Sequence, residues 1–188
     1  DGRRFLEVAS KVVDKKPIVI LKGGTSSAGA RAAGSHTGAL GGRLLAYKTA
    51  FEKSGVIMAE SVEELFNNGI AFSNQPIPKT EGVAIVTNAG GPGILATDLS
   101  ERLGLRIANL TSETRNQLRE GLPAAASTGN PVDVLGDAKA DRYSFAVERV
   151  LRDDRVGSLV AILTPQAMTE SMVTAESLLE LHGRFSEK

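Results

Sequence analysis

The chain contains no cysteine, which excludes a disulfide framework and any thiolate metal site and fits a reducing compartment. It has no excess of either charge: Lys plus Arg number 22 and Asp plus Glu number 22. Partners such as nucleic acid or an anionic membrane are usually met with a strong basic excess, so a whole-surface field of that kind is excluded. No apolar run approaches the ~20 residues needed to cross a bilayer, and Asp1-Gly2-Arg3-Arg4 lacks the apolar core of a signal peptide. The expectation is a cytoplasmic protein with no nucleic-acid and no membrane partner. The motifs G-x-x-x-x-G-K-[ST], H-E-x-x-H and G-x-S-x-G are missing too, so Walker-type nucleotide hydrolysis, zinc hydrolysis and elbow-type ester chemistry have no support.

Glycine is what the chain has in abundance. Residues 23–42, GGTSSAGARAAGSHTGALGG, hold seven glycines among alanine, serine and threonine around His36. Such a run favours turns and close approach of bare N–H groups to an anion. It follows the apolar segment Pro17-Ile18-Val19-Ile20-Leu21, which reads as a buried strand, so it occupies the place where open α/β sheets hold ligands.

With 188 residues, 41% of them apolar, the chain can bury one ordinary core or two small ones. Phe5, Val8, Ala9 and Val12 recur at helical spacing before the Lys15-Lys16-Pro17 stop. Leu44, Tyr47 and Phe51 line a helix closed by Gly55, and Ser61-Val62-Glu63-Glu64 carries a capping box. Asn74-Gln75-Pro76-Ile77-Pro78-Lys79 reads as a linker. Beyond it the pattern restarts: a strand over 82–87, the glycine turn Asn88-Ala89-Gly90-Gly91-Pro92-Gly93, and a helix on which Leu95, Leu99 and Leu103 stack before Gly104. A strand follows at 105–108, then a helix capped by Thr111 or Ser112. Tyr143, Val147, Val150 and Leu151 mark another helix, 158–163 a strand, and 170–185 a final helix. Strands alternating with helices of this length specify an α/β fold with parallel sheets, in two successive modules over 1–78 and 79–188.

Two constellations carry chemistry. Neutral imidazole has a nucleophilic nitrogen, so His36 on a glycine-rich segment can accept and release a phosphoryl group. Ser35 and Thr37 can bond phosphate oxygens, and Arg31 can supply positive charge. The bland alternative is a solvated or capping histidine. His182, beside Leu178, Leu181 and Phe185, has no such setting and reads as structural. In the second constellation, Gly90 and Gly91 open a helix whose free N–H groups and dipole favour a phosphate; its alternative is a tight turn without ligand. Gly91-Pro92-Gly93-Ile94-Leu95-Ala96 matches a dinucleotide fingerprint, but Asn109 stands where a ribose-binding acid is required. Asp153-Asp154 reads as a solvated face. Asp133, after the turn-forming Asn130-Pro131, reads as structural.

The run Lys16-Pro17-Ile18-Val19-Ile20-Leu21-Lys22 leading to Ala30-Arg31-Ala32-Ala33-Gly34-Ser35-His36-Thr37-Gly38-Ala39-Leu40 resembles the phosphohistidine loop of ADP-forming acyl-CoA synthetases, relatives of succinyl-CoA synthetase. Residues 87–98, TNAGGPGILATD, and the motif Gly129-Asn130-Pro131-Val132-Asp133 are similar to that family's later flavodoxin-like domain. The resemblance implies flavodoxin-like modules, the first incomplete and the second either whole or truncated. It implies that His36 is the catalytic phosphoryl carrier, that Gly90, Gly91, Ser35, Thr37 and Arg31 bind phosphate, and that no metal is held by this chain. CoA, ADP or ATP and Mg²⁺ would act through domains absent from it: a CoA-binding domain and an ATP-grasp domain or subunit, with a small acid or acyl-CoA as substrate and an oligomer as the working form. The alternative is a catalytically silent CoA- or nucleotide-sensing domain of a protein acyltransferase or regulator. A silent relative has no reason to keep the nucleophile at position 36.

Overall fold

A computed structural model describes residues 2–37 and 44–185, the side chains of His36 and Thr37 excepted. The chain divides into two compact units, Asp1–Gln75 and Pro76–Lys188.

The first unit is built on α1 (Gly2–Val12), β1 (Val19–Leu21), α2 (Ser27–Thr37), α3 (Leu44–Ser54), β2 (Ile57–Ala59) and α4 (Val62–Asn74). Its core is small: Ala9, Phe51 and Val56 are buried, with Phe5, Val13, Ile18, Ile20, Tyr47 and Met58 packed around them. Phe5 and Phe51 meet edge-on with ring centroids 5.8 Å apart, an arrangement that adds about 0.5–1.5 kcal/mol beyond its buried area. Gly55, at φ +69, ends α3: its N–H reaches the Glu52 carbonyl and the Val56 N–H that of Phe51, a Schellman closure. Ser61 caps α4 by accepting from the Glu64 N–H at 3.0 Å, while the Glu64 carboxylate accepts from the Glu60 N–H at 2.8 Å. The strands pair in parallel, Val19 with Ile57 and Leu21 with Ala59. β1, expected to be buried, is only half-buried, because the sheet of this unit has two strands among the described residues.

One segment departs from expectation. Residues 27–37, read as loop, form helix α2. Ala28, Ala30, Arg31, Ala32 and Ala33 are strong helix formers and outweigh Gly29 and Gly34, and the Ser26 hydroxyl accepts the Gly29 N–H at 3.0 Å at the helix start. Gly38, Ala39, Leu40, Gly41 and Gly42 lie outside the described residues.

In the second unit β3 (Gly82–Thr87) is buried along its whole length. It is the central strand of an all-parallel sheet. β6 (Ser158–Ile162) lies on one flank, from Val83 opposite Ser158 to Thr87 opposite Ile162. β4 (Arg106–Ile107) and β5 (Val132–Asp133) follow one another along the other flank, β4 against Gly82 and Val83 and β5 against Val86 and Thr87. Between these two short strands the ladder has a gap, which the side chain of Asn130 fills. Its amide donates to the carbonyls of Val83 and Ala108 and accepts the Ile85 N–H, each at 2.9 Å. A side-chain amide thus does the work of a peptide bond.

Helices cover both faces of this sheet. Ala84 and Val86 pack with Leu110, Leu118, Tyr143, Val147, Val150 and Leu181, drawn largely from α6 (Ser112–Gly121), α7 (Ala140–Leu151) and α8 (Ser171–Arg184). The opposite face meets α5 (Gly90–Arg102). Here the expected leucine stripe is not the buried side: Leu95, Leu99 and Leu103 are 69%, 50% and 68% exposed. α5 instead turns small residues inward. A β-carbon on the buried Gly93 would sit 2.9 Å from the Thr87 methyl, so only glycine lets the helix come this close to β3. Gly104, at φ +78, closes α5 as Gly55 closes α3. Asp153, expected in solvent, is 3% exposed. It accepts the Thr111 N–H (2.7 Å), the Thr111 hydroxyl (3.0 Å) and the Arg155 N–H (3.0 Å). Burial pushes its carboxyl upward, but these bonds, with one from Thr114, hold it below the ordinary aspartate value.

Candidate functional site

Parallel sheets gather the carboxyl ends of their strands along one edge, and ligands bind where successive connections leave in opposite directions. In the second unit that point lies between β3 and β6, since β3 leads to β4 on one flank while β5 leads across to β6 on the other. The two loops leaving it are tied together by Asn88, which is 2% exposed. The Asn88 amide donates to the Thr164 carbonyl at 2.9 Å and accepts both the Thr164 N–H at 2.8 Å and its hydroxyl at 3.0 Å. Beneath them the buried Tyr143 hydroxyl donates to the Ile162 carbonyl at 2.7 Å. Burial pushes this phenol up to about 12, opposed by a bond from the Asn88 backbone, so it stays a neutral donor.

α5 starts directly beyond Asn88. Its cap residue, Ala89, offers no side-chain hydrogen bond, so the first-turn N–H groups keep the partial positive charge of an open helix end. Gly90 and Gly91 are both exposed, and nothing lies within 4 Å of the place a β-carbon on Gly91 would take. On the other side stands Asp133. Its Oδ2 lies 3.3 Å from the β-carbon position of Gly90, while Oδ1 accepts the Leu135 N–H at 2.9 Å. An incoming anion therefore meets bare amides on the Gly91 side and a carboxylate on the Gly90 side.

The remaining expected site residues belong to the first unit, on α2. Arg31 and Ser35, four residues apart, share a helix face and are both exposed. The Ser35 hydroxyl donates to the Ala32 carbonyl at 2.7 Å. His36 and Thr37 close the helix, and their side chains lie outside the described residues. His182 is exposed near the end of α8. Among the described residues no group of three or more His, Asp or Glu side chains is arranged to hold a metal ion. Nor is any helix among them long and apolar enough to cross a membrane.

Sequence reading located the glycine pair because it is contiguous and sits at a strand-to-helix junction. It placed Asn88 in the glycine turn but missed its pairing with Thr164, 76 positions on; no periodicity couples the two.

A succinyl-CoA ligase like flavodoxin domain model matches residues 1–72, and a Ligase-CoA domain model matches residues 83–188. The chain is 45% identical to an ADP-forming acetate–CoA ligase I of Archaeoglobus fulgidus, over 95% of this chain and 26% of the relative. It is 44% identical to the alpha subunit of the ADP-forming acetate–CoA ligase II of Pyrococcus furiosus, over 93% of this chain and 40% of that subunit. Among solved structures, the acetyl-coenzyme A synthetase 1 of Candidatus Korarchaeum cryptofilum, in complex with phosphate and ADP, superposes with a TM-score of 0.90 at 34% identity, covering 98% of this chain and 40% of its own. The chain thus spans between 26% and 40% of the length of these proteins. With parallel sheets in the family's domain order and these relatives on both modules, the chain belongs to the ADP-forming acyl-CoA synthetases of the succinyl-CoA synthetase-like superfamily, as a segment carrying their flavodoxin-like and Ligase-CoA domains.

Proposed function

We propose that this chain is the phosphoryl-carrying segment of an acid–CoA ligase that converts acyl-CoA, phosphate and ADP to acid, CoA and ATP. Phosphate displaces CoA from the acyl group, giving an acyl phosphate. A ring nitrogen of His36 then attacks phosphorus, and the P–O bond to the acyl group breaks with its electron pair, releasing the carboxylate. Attack by the ADP β-phosphate oxygen on the phosphohistidine forms ATP and returns the neutral imidazole. The reverse sequence makes acyl-CoA.

The observation that carries this reading is the order of the two motifs, the His36 segment followed by the strand-to-helix turn of Gly90 and Gly91, in a chain 45% identical to an ADP-forming ligase. The α5 start is the proposed receiver of the phosphoryl oxygens on the acyl side. Its dipole and amides are fixed before reaction, so they stabilise developing charge with little reorganisation; such a helix end contributes about 0.3–1 kcal/mol when exposed and up to ~2 kcal/mol when partly buried. Ser35, Thr37 and Arg31 are the proposed phosphate contacts travelling with the histidine. CoA, nucleotide and Mg²⁺ are assigned to a CoA-binding domain and an ATP-grasp domain or subunit that complete the enzyme. The assembly is an oligomer working in the cytoplasm, where acyl-CoA and ADP are available.

Incubating the full-length enzyme with labelled ATP and Mg²⁺ tests the carrier. The expected product is an acid-labile, base-stable phosphate on His36, absent from His36→Ala and His36→Asn. A label that persists in both variants refutes the role, and an unlabelled wild type favours a silent sensing domain.

A further inference from the structure

Every hydrogen bond described for the Asn88 side chain goes to Thr164. The β3–β6 ladder ends at Thr87 opposite Ile162, and beyond it the two chains part: one enters the α5 start, the other the segment 164–170 before α8. Asn88 couples them one step past the last strand pair, with three bonds of 2.8–3.0 Å from a residue 2% exposed. It fixes the gap at which these two segments leave the sheet, and with it the path of the chain into Gly90 and Gly91, two and three positions on.

From this we infer that Asn88 is a positioning residue for phosphoryl transfer on the acyl side of the reaction, an inference that rests on the carrier reading of His36. Without the Asn88 amide, the Thr164 N–H and carbonyl lose these partners and the facing loop can shift. A displacement of about 1 Å in a reacting geometry costs up to about 100-fold in rate, whereas transfer to ADP takes place on another domain and does not depend on this gap. Asp153 supplies the control: its carboxylate holds Thr111 and Arg155 ahead of β6, at the opposite end of that strand from Thr164. Asp153→Asn therefore weakens the same unit and leaves every contact of Asn88 in place.

The experiment uses the full-length enzyme labelled on His36 from ATP and then chased either with ADP or with acid plus CoA. Asn88→Ala and Asn88→Asp are expected to slow release into acid plus CoA by about tenfold or more while release to ADP stays within about twofold. Asp153→Asn is expected to lower the melting temperature with both release rates unchanged. The inference is overturned if the Asn88 variants slow both chases alike, if they slow neither, or if Asp153→Asn gives the same one-sided loss. Absence of label from the wild type, or label surviving in His36→Ala, overturns the carrier reading itself and with it this inference, and is distinguishable from the other outcomes before any chase is run.

Discussion

Replacing Asn130 by alanine removes the one side chain that completes the central ladder of the second unit. Three bonds of 2.9 Å disappear. The Val83 carbonyl keeps the Ala108 N–H at 2.8 Å, so the damage falls on two main-chain groups, the Ile85 N–H and the Ala108 carbonyl. Ile85 is 0% exposed and Ala108 4%, so in the intact fold both groups are screened from water. A buried polar group left unsatisfied costs about 1–3 kcal/mol, giving roughly 2–6 kcal/mol for the pair. With a urea slope of about 2 kcal/mol/M, the midpoint of the second unit should fall by roughly 1–3 M with the slope unchanged. Asn130→Asp should do no better, because a carboxylate oxygen would face two carbonyls. Urea titration followed by far-ultraviolet circular dichroism measures the midpoint, and hydrogen exchange at the Ile85 amide reports the broken bond directly. A midpoint that moves by less than about 0.5 M at constant slope, with the Ile85 amide still protected, refutes the argument that this side chain substitutes for a strand.

Two neighbouring glycines should behave oppositely. Gly93→Ala drives a β-carbon to 2.9 Å from Thr87 and 3.4 Å from Pro131, so thermal melting should register a loss of about 1–3 kcal/mol from overpacking. Gly91→Ala meets nothing within 4 Å and should leave the melting temperature unchanged while slowing transfer of phosphate from His36 to acid plus CoA; an unaltered rate would argue against the α5 start as receiver. Asp153 gives a pH signature. Its folded pKa lies below the ordinary 3.8, so its stabilisation is present above the unfolded value and is lost as pH falls through the lower folded one. Asp153→Asn should lower stability at pH 7 and flatten the acid limb of the stability profile below about pH 4; parallel profiles for the two proteins would contradict the assigned bonds.

Local chemistry was readable wherever the determinant lies within a few residues. Gly55 and Gly104 stop helices because αL geometry is cheap only for glycine, and Ser61 and Thr111 start them because their hydroxyls reach an N–H three residues on. The buried face of α7, with Tyr143, Val147 and Val150, follows from its spacing. Alternation of such elements specified parallel α/β modules, and the contiguous pair Gly90 and Gly91 marked the open helix end.

Tertiary structure decided what depends on distant partners. The Leu95, Leu99 and Leu103 stripe is periodic, yet the depth at which α5 sits on β3 is set by Gly93 against Thr87, and that contact turns the small residues inward. Asp153 shares its sequence signature with any solvated acid; its burial follows from the Thr111 N–H and hydroxyl, 42 positions away. Asn130 and Asn88 are turn residues by composition. They become a ladder rung and a loop clamp only because folding brings to each a set of main-chain groups that would otherwise be buried without partners, a demand imposed by the sheet and invisible in any short window of sequence.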